Sequence, residues 1–297
     1  MIQRGTLIAV LIGVEVALVA MMAQAISPGS PTSSRDTTLH DFHGPAAHGA
    51  ADYSFTTGAH PEVTVDIGYA DLTVYRRDEG GISVNVTASG WHGFGSSAPE
   101  ISAKQDGESI QVIAAESPGW TWGDDRMVTI AVPPGARLNV VNAGNIKATG
   151  LRERATFKSV GNGAIVIEDF NGPALDVSTS NGRVTLHNII APQLDAESSN
   201  GRVEGTALQV RDGRIDSSNG RVTLGFLPGT NTTVTAATSN GRINVSGFAA
   251  TPAKVVKQGD DDDDDDDSTA RTIRVGAGSG RLDVHTSNGS IYLNQEG

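Results

Sequence analysis

The stretch "ESSNGRVEGTALQVRDGRIDSSNGRVTL", Glu197 to Leu224, writes Ser-Asn-Gly-Arg twice within 28 residues. The turn it contains recurs along the chain. Asn162-Gly163, Asn181-Gly182, Asn200-Gly201 and Asn219-Gly220 follow one another at intervals of 19, and Asn240-Gly241 comes 21 residues later. One interval upstream of Asn162, in "NAGNIKATG", Gly144 keeps the turn, and Asn288-Gly289 repeats it near the C-terminus. A fixed period with a fixed turn is the signature of stacked repeats, and it outranks local propensity.

Each copy has the same internal grammar. In "LDVSTSNGRVTL" (175–186) Leu175, Val177 and Thr179 share one parity, and Asp176, Ser178 and Ser180 the other. After the turn Val184 and Leu186 face one way, with Arg183 and Thr185 opposite; "LDVHTSNGSIYL" (282–293) follows suit. That is a strand with one buried face, not a helical stripe. The Asn-Gly pair is expected to supply left-handed backbone for a sharp turn. Asn-Gly between alternating runs also signals an antiparallel hairpin meander. Against that, a second turn near mid-repeat (Asn171-Gly172, Ala191-Pro192, Asp212-Gly213, Pro228-Gly229) returns the chain to the same point each time. The expected fold is therefore all-β: a β-solenoid, parallel β-helix-like, with rungs about 4.8 Å apart. Leu175, Leu194 and Leu282, with Val184, Val203, Val222 and Ile243, form its inward ladders.

The rest of the chain is arranged around this array. Residues 1–25 read as an export signal or N-terminal anchor: Arg4 precedes an apolar run from Leu7 to Met22, and Ala23-Gln24-Ala25 offers a small-residue cleavage site. Glu15 interrupts the run, and a charge at the centre of a spanning helix costs about 2.5–3.5 kcal/mol, which favours cleavage. Residues 26–52, rich in Pro, Gly, Ser and Thr, read as a flexible linker. Residues 53–141 alternate like strands without the Asn-Gly period and read as opening coils or a cap; residues 142–297 are the repeats. An acidic insertion at about 256–270, holding the unbroken run Asp260 to Asp267, interrupts them. Such runs repel, extend and stay disordered.

Formal charge is −12, of which that run supplies eight units, leaving −4 for the remainder. No basic nucleic-acid footprint exists. With no cysteine there is neither a disulfide nor a thiolate metal site. His40, His43 and His48 fall in the linker without ligand spacing, so no metal is expected, and no cofactor either. "GAGSGRLDV" (276–284) is followed by a strand rather than a helix, which excludes a dinucleotide site.

These features resemble the bacterial "putative adhesin" family of β-solenoid domains, similar to head GIN domain adhesins. The resemblance rests on "VTIAVPPGARLNVVNAGNIKATGL" (Val128 to Leu151) followed by "TSNGRVTL", "SSNGRVEG" and "TSNGSIYL", and spans Glu62 to Leu293. It implies an exported β-solenoid with an adhesive or scaffolding role, and carries no catalytic residues. The octa-aspartate insertion departs from the family pattern.

Stacking places Arg183, Arg202, Arg221 and Arg242 in a column, with Arg281 as a fifth member across the insertion. Neighbouring guanidinium groups about 5 Å apart repel by about 1 kcal/mol in water, a tolerable cost at a surface. Such a row either forks onto an anionic glycan or envelope polymer, or is a solubilising face, charge-balanced by Asp176, Asp195, Asp216 and Asp283, that blocks sideways pairing. Trp91, Trp120 and Trp122 lie on loops and either stack sugars, dock a protein or cover the core's end. The Asn162, Asn181, Asn200, Asn219, Asn240 and Asn288 turns are structural, with amides stacking along the axis. Candidate catalytic groups recur once per rung, and His187 and His285 are isolated, so no singular constellation forms. The expectation is a non-enzymatic, exported adhesion or scaffold module at the periplasm or cell surface. Its partner would be an envelope polymer or another protein, with the membrane touched only through an uncleaved N-terminus. Two alternatives stand beside it: a polysaccharide-modifying β-helix enzyme, and a protein that self-assembles end to end through the strand in "SIYLNQEG".

Overall fold

The computed structural model describes residues 50–89, 101–114, 125–248, 254–256 and 269–296. The export segment, most of the linker with its three histidines, all three tryptophans and the aspartate run lie outside the described residues. What is described is strand throughout. The opening third holds β1 (Ala50–Phe55), β2 (Glu62–Asp66), β3 (Asp71–Arg76), β4 (Ile82–Ser89), β5 (Ile101–Asp106), β6 (Ser109–Ala114), β7 (Asp125–Val132), β8 (Arg137–Asn142) and β9 (Ile146–Thr149). The repeats hold β10 (Ala155–Ser159), β11 (Ile165–Asn171), β12 (Ala174–Thr179), β13 (Val184–Ser198), β14 (Val203–Ser217), β15 (Val222–Phe226), β16 (Thr232–Thr238) and β17 (Ile243–Ser246). The chain closes with β18 (Lys254–Val256), β19 (Thr269–Val275), β20 (Gly280–Thr286) and β21 (Ile291–Gln295). β1 starts at Ala50, so the last residues read as linker are already paired, to β4.

The protein is a β-solenoid. Strands entering the turn stack in parallel as β6, β2, β8, β10, β12, then the final segments of β13 and β14, β20 and β16. Strands leaving it stack as β7, β3, β9, β11, the first segments of β13 and β14, β15, β21 and β17. Parallel pairing at this register excludes a hairpin meander. Antiparallel strands appear only outside the stack: β5 on β6, β4 on β7 with β1 on β4, and β19 on β16 with β18 on β19.

The inward ladders form one continuous core. Leu175 lies on Leu194, and Val184 on Val203 on Val222, all fully buried or nearly so. Phe157, Phe170 and Phe226 are the largest side chains within it. Burying a Val or Leu contributes about 1.5–3 kcal/mol. No single rung could close such a core alone, so stacking stabilises every rung at once.

Rung order departs from chain order at both ends. The β2–β3 rung lies between β6–β7 and β8–β9. At the other end the β20–β21 rung lies between β14–β15 and β16–β17. β21 is therefore paired on both sides, by β15 and β17, and does not present the open edge expected of "SIYLNQEG". The ladders accordingly continue from Val222 through Ile291 to Ile243, and on the entering side through Leu282 to Val234.

The glycines of the turns also differ from expectation. None of Gly163, Gly182, Gly201, Gly220, Gly241 or Gly289 has positive φ. Their constraint is the rung beneath. A Cβ built on Gly201 would meet the carbonyl oxygen of Gly182 far inside 3.0 Å, and each of the other turn glycines meets its predecessor's carbonyl in the same way. Left-handed backbone occurs instead at the corner after the leaving strand: Gly150 (φ 77), Asp169 (φ 55), Asn188 (φ 55) and Ala207 (φ 54), one residue per 19. Asp and Asn tolerate this region, whereas alanine is strained there.

Two substitutions of opposite sign follow. Gly201→Ala is expected to destabilise by about 1–3 kcal/mol through overpacking. Ala207→Gly is expected to stabilise by up to about 1 kcal/mol by relieving the αL strain. Urea denaturation of both variants against wild type checks the pair.

Candidate functional site: the arginine-lined turn edge

The turn is held by two parallel ladders and flanked on the outside by a row of arginines. Directly inside it, Thr179, Ser198 and Ser217 are buried. The Ser198 hydroxyl donates to the Gly182 carbonyl at 3.0 Å and accepts from the Gly201 N–H at 2.9 Å. Thr179 does the same between Gly163 and Gly182, and Ser217 between Gly201 and Gly220. Thr286 and Thr238 continue the donor half, to Gly220 and Gly289, and Ser159 begins it, to Gly144. Each buried carbonyl thus gains the partner that burial demands. The parity of these residues was readable as inward. Their role was not, although Ser or Thr stands three residues before five of the six turn glycines.

On the outside, the asparagine amides form an exposed chain. Asn181 Nδ2 donates to Asn162 Oδ1 at 2.9 Å, Asn200 to Asn181 at 2.6 Å, and Asn219 to Asn200 at 2.7 Å. Asn288 donates to Asn219 and Asn240 to Asn288, both at 2.8 Å. This order repeats the insertion of the β20–β21 rung.

Next to the asparagines come the arginines, all exposed. Arg183, Arg202 and Arg221 occupy consecutive rungs, because the Val184 N–H bonds to the Arg202 carbonyl and the Val203 N–H to that of Arg221. The next position in the column is Ser290, and Arg242 lies one rung beyond it. The four-member column is therefore three neighbours and an outlier. Arg281 is not a member. It is the second residue of β20, opposite Thr233; its backbone N–H bonds to Asp212, and its guanidinium pairs with Asp283 at 3.0 Å. The cause is position within the repeat: Ser279-Gly280 precedes an entering strand, whereas the arginines of the row follow the turn.

The balancing carboxylates also belong elsewhere. Asp216 pairs with Arg214 and Asp283 with Arg281, on the entering strands. The Arg211 side chain and the Arg281 backbone N–H hold the Asp212 carboxyl below its usual pKa. Its stabilising contribution is present above the ordinary carboxylate range and fades as pH falls through the lowered value. In the row itself, Arg202 reaches Glu204 at 3.6 Å, while Arg183 and Arg242 form no ion pair among the described residues. Arg221 lies over the Tyr292 ring, 5.2 Å from its centroid. There a shallow depression of about 400 Å³ is lined by Arg221, Thr223, Asn244, Tyr292 and Asn294. Tyr292 was missed in the sequence because its neighbour Arg221 is 71 positions away and comes next to it only through the inserted rung.

The histidines do not assemble a catalytic group among the described residues. His187 Nδ1 contacts Thr206 Oγ1 at 2.8 Å, and His285 lies 3.9 Å from Asp216.

The Toastrack DUF4097 family model matches residues 61–294, nearly the whole of the described stack. The chain belongs to this family. No curated protein matches it. Among solved structures, a putative adhesin from Bacteroides fragilis is similar at 13% identity with a TM-score of 0.51, covering 84% of this chain and 97% of that one. A putative cell adhesion protein from Clostridium sporogenes (13% identity, TM-score 0.35) covers 84% of this chain and 100% of its own. A putative lipid binding protein from Parabacteroides distasonis (11%, TM-score 0.38) covers 84% and 97%. At 13% identity the likeness to the Bacteroides fragilis protein is one of fold alone.

In this Toastrack chain the hydroxyl column predicts a specific sensitivity. Ser198→Ala leaves one buried carbonyl and one N–H unpaired and is expected to cost about 1–3 kcal/mol. Ser198→Thr keeps the hydroxyl and is expected to retain most of that stability, as Thr179 does naturally. Thermal melts of the two variants side by side check this.

Proposed function

We propose that this protein is an exported, non-enzymatic adhesion or scaffold module whose turn edge holds an anionic surface polymer. The observation that carries this reading is the row Arg183, Arg202 and Arg221: three exposed guanidinium groups on consecutive rungs, one of them without an ion pair among the described residues and one with only a 3.6 Å contact. Guanidinium forks match carboxylate and phosphate oxygens in pairs. The asparagine chain holds the turn beneath them, so binding has to order the arginine side chains but not the backbone that carries them. At the end of the row the Tyr292 depression adds an aromatic face with Asn244 and Asn294 beside it, a combination suited to a sugar ring.

The adhesion half of the reading is supported by the name of the Bacteroides fragilis structural neighbour. Export is supported by Arg4, the apolar run Leu7 to Met22 and the Ala23-Gln24-Ala25 site. The non-enzymatic half is supported by the uniform, once-per-rung chemistry of the edge, which supplies binding groups but no paired acid and base.

The test compares wild type, an Arg183→Gln, Arg202→Gln, Arg221→Gln triple variant and an Arg281→Gln control on uronate-containing and phosphate-containing glycopolymers at two salt concentrations. The triple variant is expected to melt like wild type and to lose affinity on the order of tenfold, with the salt dependence reduced. Arg281→Gln is expected to bind as wild type. Unchanged binding by the triple variant overturns the assignment of the edge.

A further inference from the structure

Asparagine followed by glycine is the dipeptide most prone to spontaneous ring closure, because glycine offers no side chain to hinder its own nitrogen. The Gly N–H loses its proton, and the nitrogen bonds to the Asn side-chain Cγ. The Cγ–Nδ2 bond then breaks and the nitrogen departs as ammonia. Water opens the resulting succinimide to aspartate or isoaspartate. The chain contains seven Asn-Gly pairs, and six of them are the exposed turns. A protein working outside the cytoplasm would accumulate this damage unless the fold restrained it.

The two ladders restrain the two reacting ends. A hydroxyl that accepts from the glycine N–H holds the attacking nitrogen. An amide that donates its Nδ2 to a neighbour fixes the side chain and the leaving nitrogen. Asn181, Asn200 and Asn219 have both restraints, through Thr179, Ser198 and Ser217 and through the asparagine chain. Asn288 and Asn240 keep the amide restraint. At Asn171 the Gly172 N–H bonds to the Ile190 carbonyl at 3.2 Å, which holds the nitrogen alone.

Asn162 has neither. Its turn is one residue longer, Ser159-Val160-Gly161-Asn162-Gly163, so Ser159 stands four positions before the glycine rather than three. The Ser159 hydroxyl reaches Gly144 at 3.3 Å, and the Gly163 N–H has no partner among the described residues. Asn162 is also the acceptor end of the amide chain: Oδ1 receives Asn181, and Nδ2 donates to nothing among the described residues. We infer that Asn162 is a built-in deamidation site, and that the hydroxyl and amide ladders protect the remaining turns from the same reaction. Where the ring opens to aspartate, the new carboxylate at position 162 still accepts from Asn181 and the amide chain stays intact. An aspartate at Asn181, Asn200, Asn219 or Asn288 removes a donor and breaks it.

The experiment ages the full chain in mildly alkaline buffer, natively and in denaturant, and localises aspartate and isoaspartate by peptide mapping with tandem mass spectrometry. In the native protein Asn162 is expected to convert first, about tenfold faster than Asn181, Asn200 or Asn219, the rate effect of two lost hydrogen bonds. Asn171, Asn240 and Asn288 are expected to fall between. In denaturant the seven rates are expected to converge. Ser198→Ala, at temperatures where its melt shows it folded, is expected to speed conversion at Asn200; Ser217→Ala does the same at Asn219 and serves where Ser198→Ala is unfolded. Native conversion at Asn162 no faster than at the doubly held sites overturns the inference, as does a native pattern equal to that in denaturant.

Discussion

Parallel strands stack about 4.8 Å apart, and at the turn of this solenoid that spacing brings one backbone directly over the carbonyl of the next. A Cβ there collides with that oxygen. The residue must be glycine for want of space, not for want of conformational freedom. Much of the repeat follows from that one contact. A carbonyl covered by the next rung is cut off from water and needs an internal donor, since an unpaired buried acceptor costs about 1–3 kcal/mol. The only side chain facing it from inside is the last inward residue of the entering strand. That residue must therefore carry a hydroxyl, as Thr179, Ser198 and Ser217 do. The position before the glycine is then a fixed distance from its counterparts, and an amide there can donate one way and accept the other. Glycine, hydroxyl and amide are three consequences of one separation.

The same contacts explain why the rungs need not follow chain order. A rung is placed by the fit of its turn and its inward residues, and the repeat rungs from β12–β13 onward carry nearly the same set. β20–β21 offers Leu282, Val284, Thr286, Asn288, Gly289 and Ile291, which complete the ladders on both of its sides. It can therefore lie inside the stack while β16–β17 lies beyond it. The strands with no such set, β1, β4, β5, β18 and β19, pair antiparallel and remain outside. A parallel ladder left bare would invite edge-to-edge association, and an antiparallel hairpin laid on it is one way to prevent that.

The sequence was legible where the physics was local. The 19-residue period and the inward parity of Leu175, Val177, Val184 and Leu186 could be read directly, because strand alternation is a property of neighbouring residues. The glycines were located correctly but for the wrong reason, since crowding between rungs leaves no local trace to distinguish it from left-handed backbone. The actual left-handed corner was invisible: Asp169, Asn188 and Ala207 carry no shared residue type, and only the corner geometry unites them. Arg281 was drawn into the row by its Gly-Arg context, although the strand it lies on enters the turn rather than leaving it. Arg242 and Tyr292 depend on which rung lies between which. That is a long-range fact, set by the inserted β20–β21, and no count along the chain contains it.

A row of identical groups is a different instrument from a singular pocket. Each exposed guanidinium contributes little alone, because water and salt screen it. Several on a rigid backbone act together, since once one engages a repeating anionic chain the others find the next charge at high effective concentration. This requires spacing that thermal motion does not blur, and the exposed turn is held from below by buried hydroxyls and from the side by amides. It also requires that the arginines not be neutralised within the protein: Asp212, Asp216 and Asp283 of the entering strands are engaged with Arg211, Arg214 and Arg281, and among the described residues only Glu204, 3.6 Å from Arg202, reaches into the row. The arrangement separates two tasks that a single pocket would combine. The interior ladders set the rigidity and the outward row sets the charge presented, so a change at position 183, 202 or 221 alters the exposed surface without altering how the turn is made.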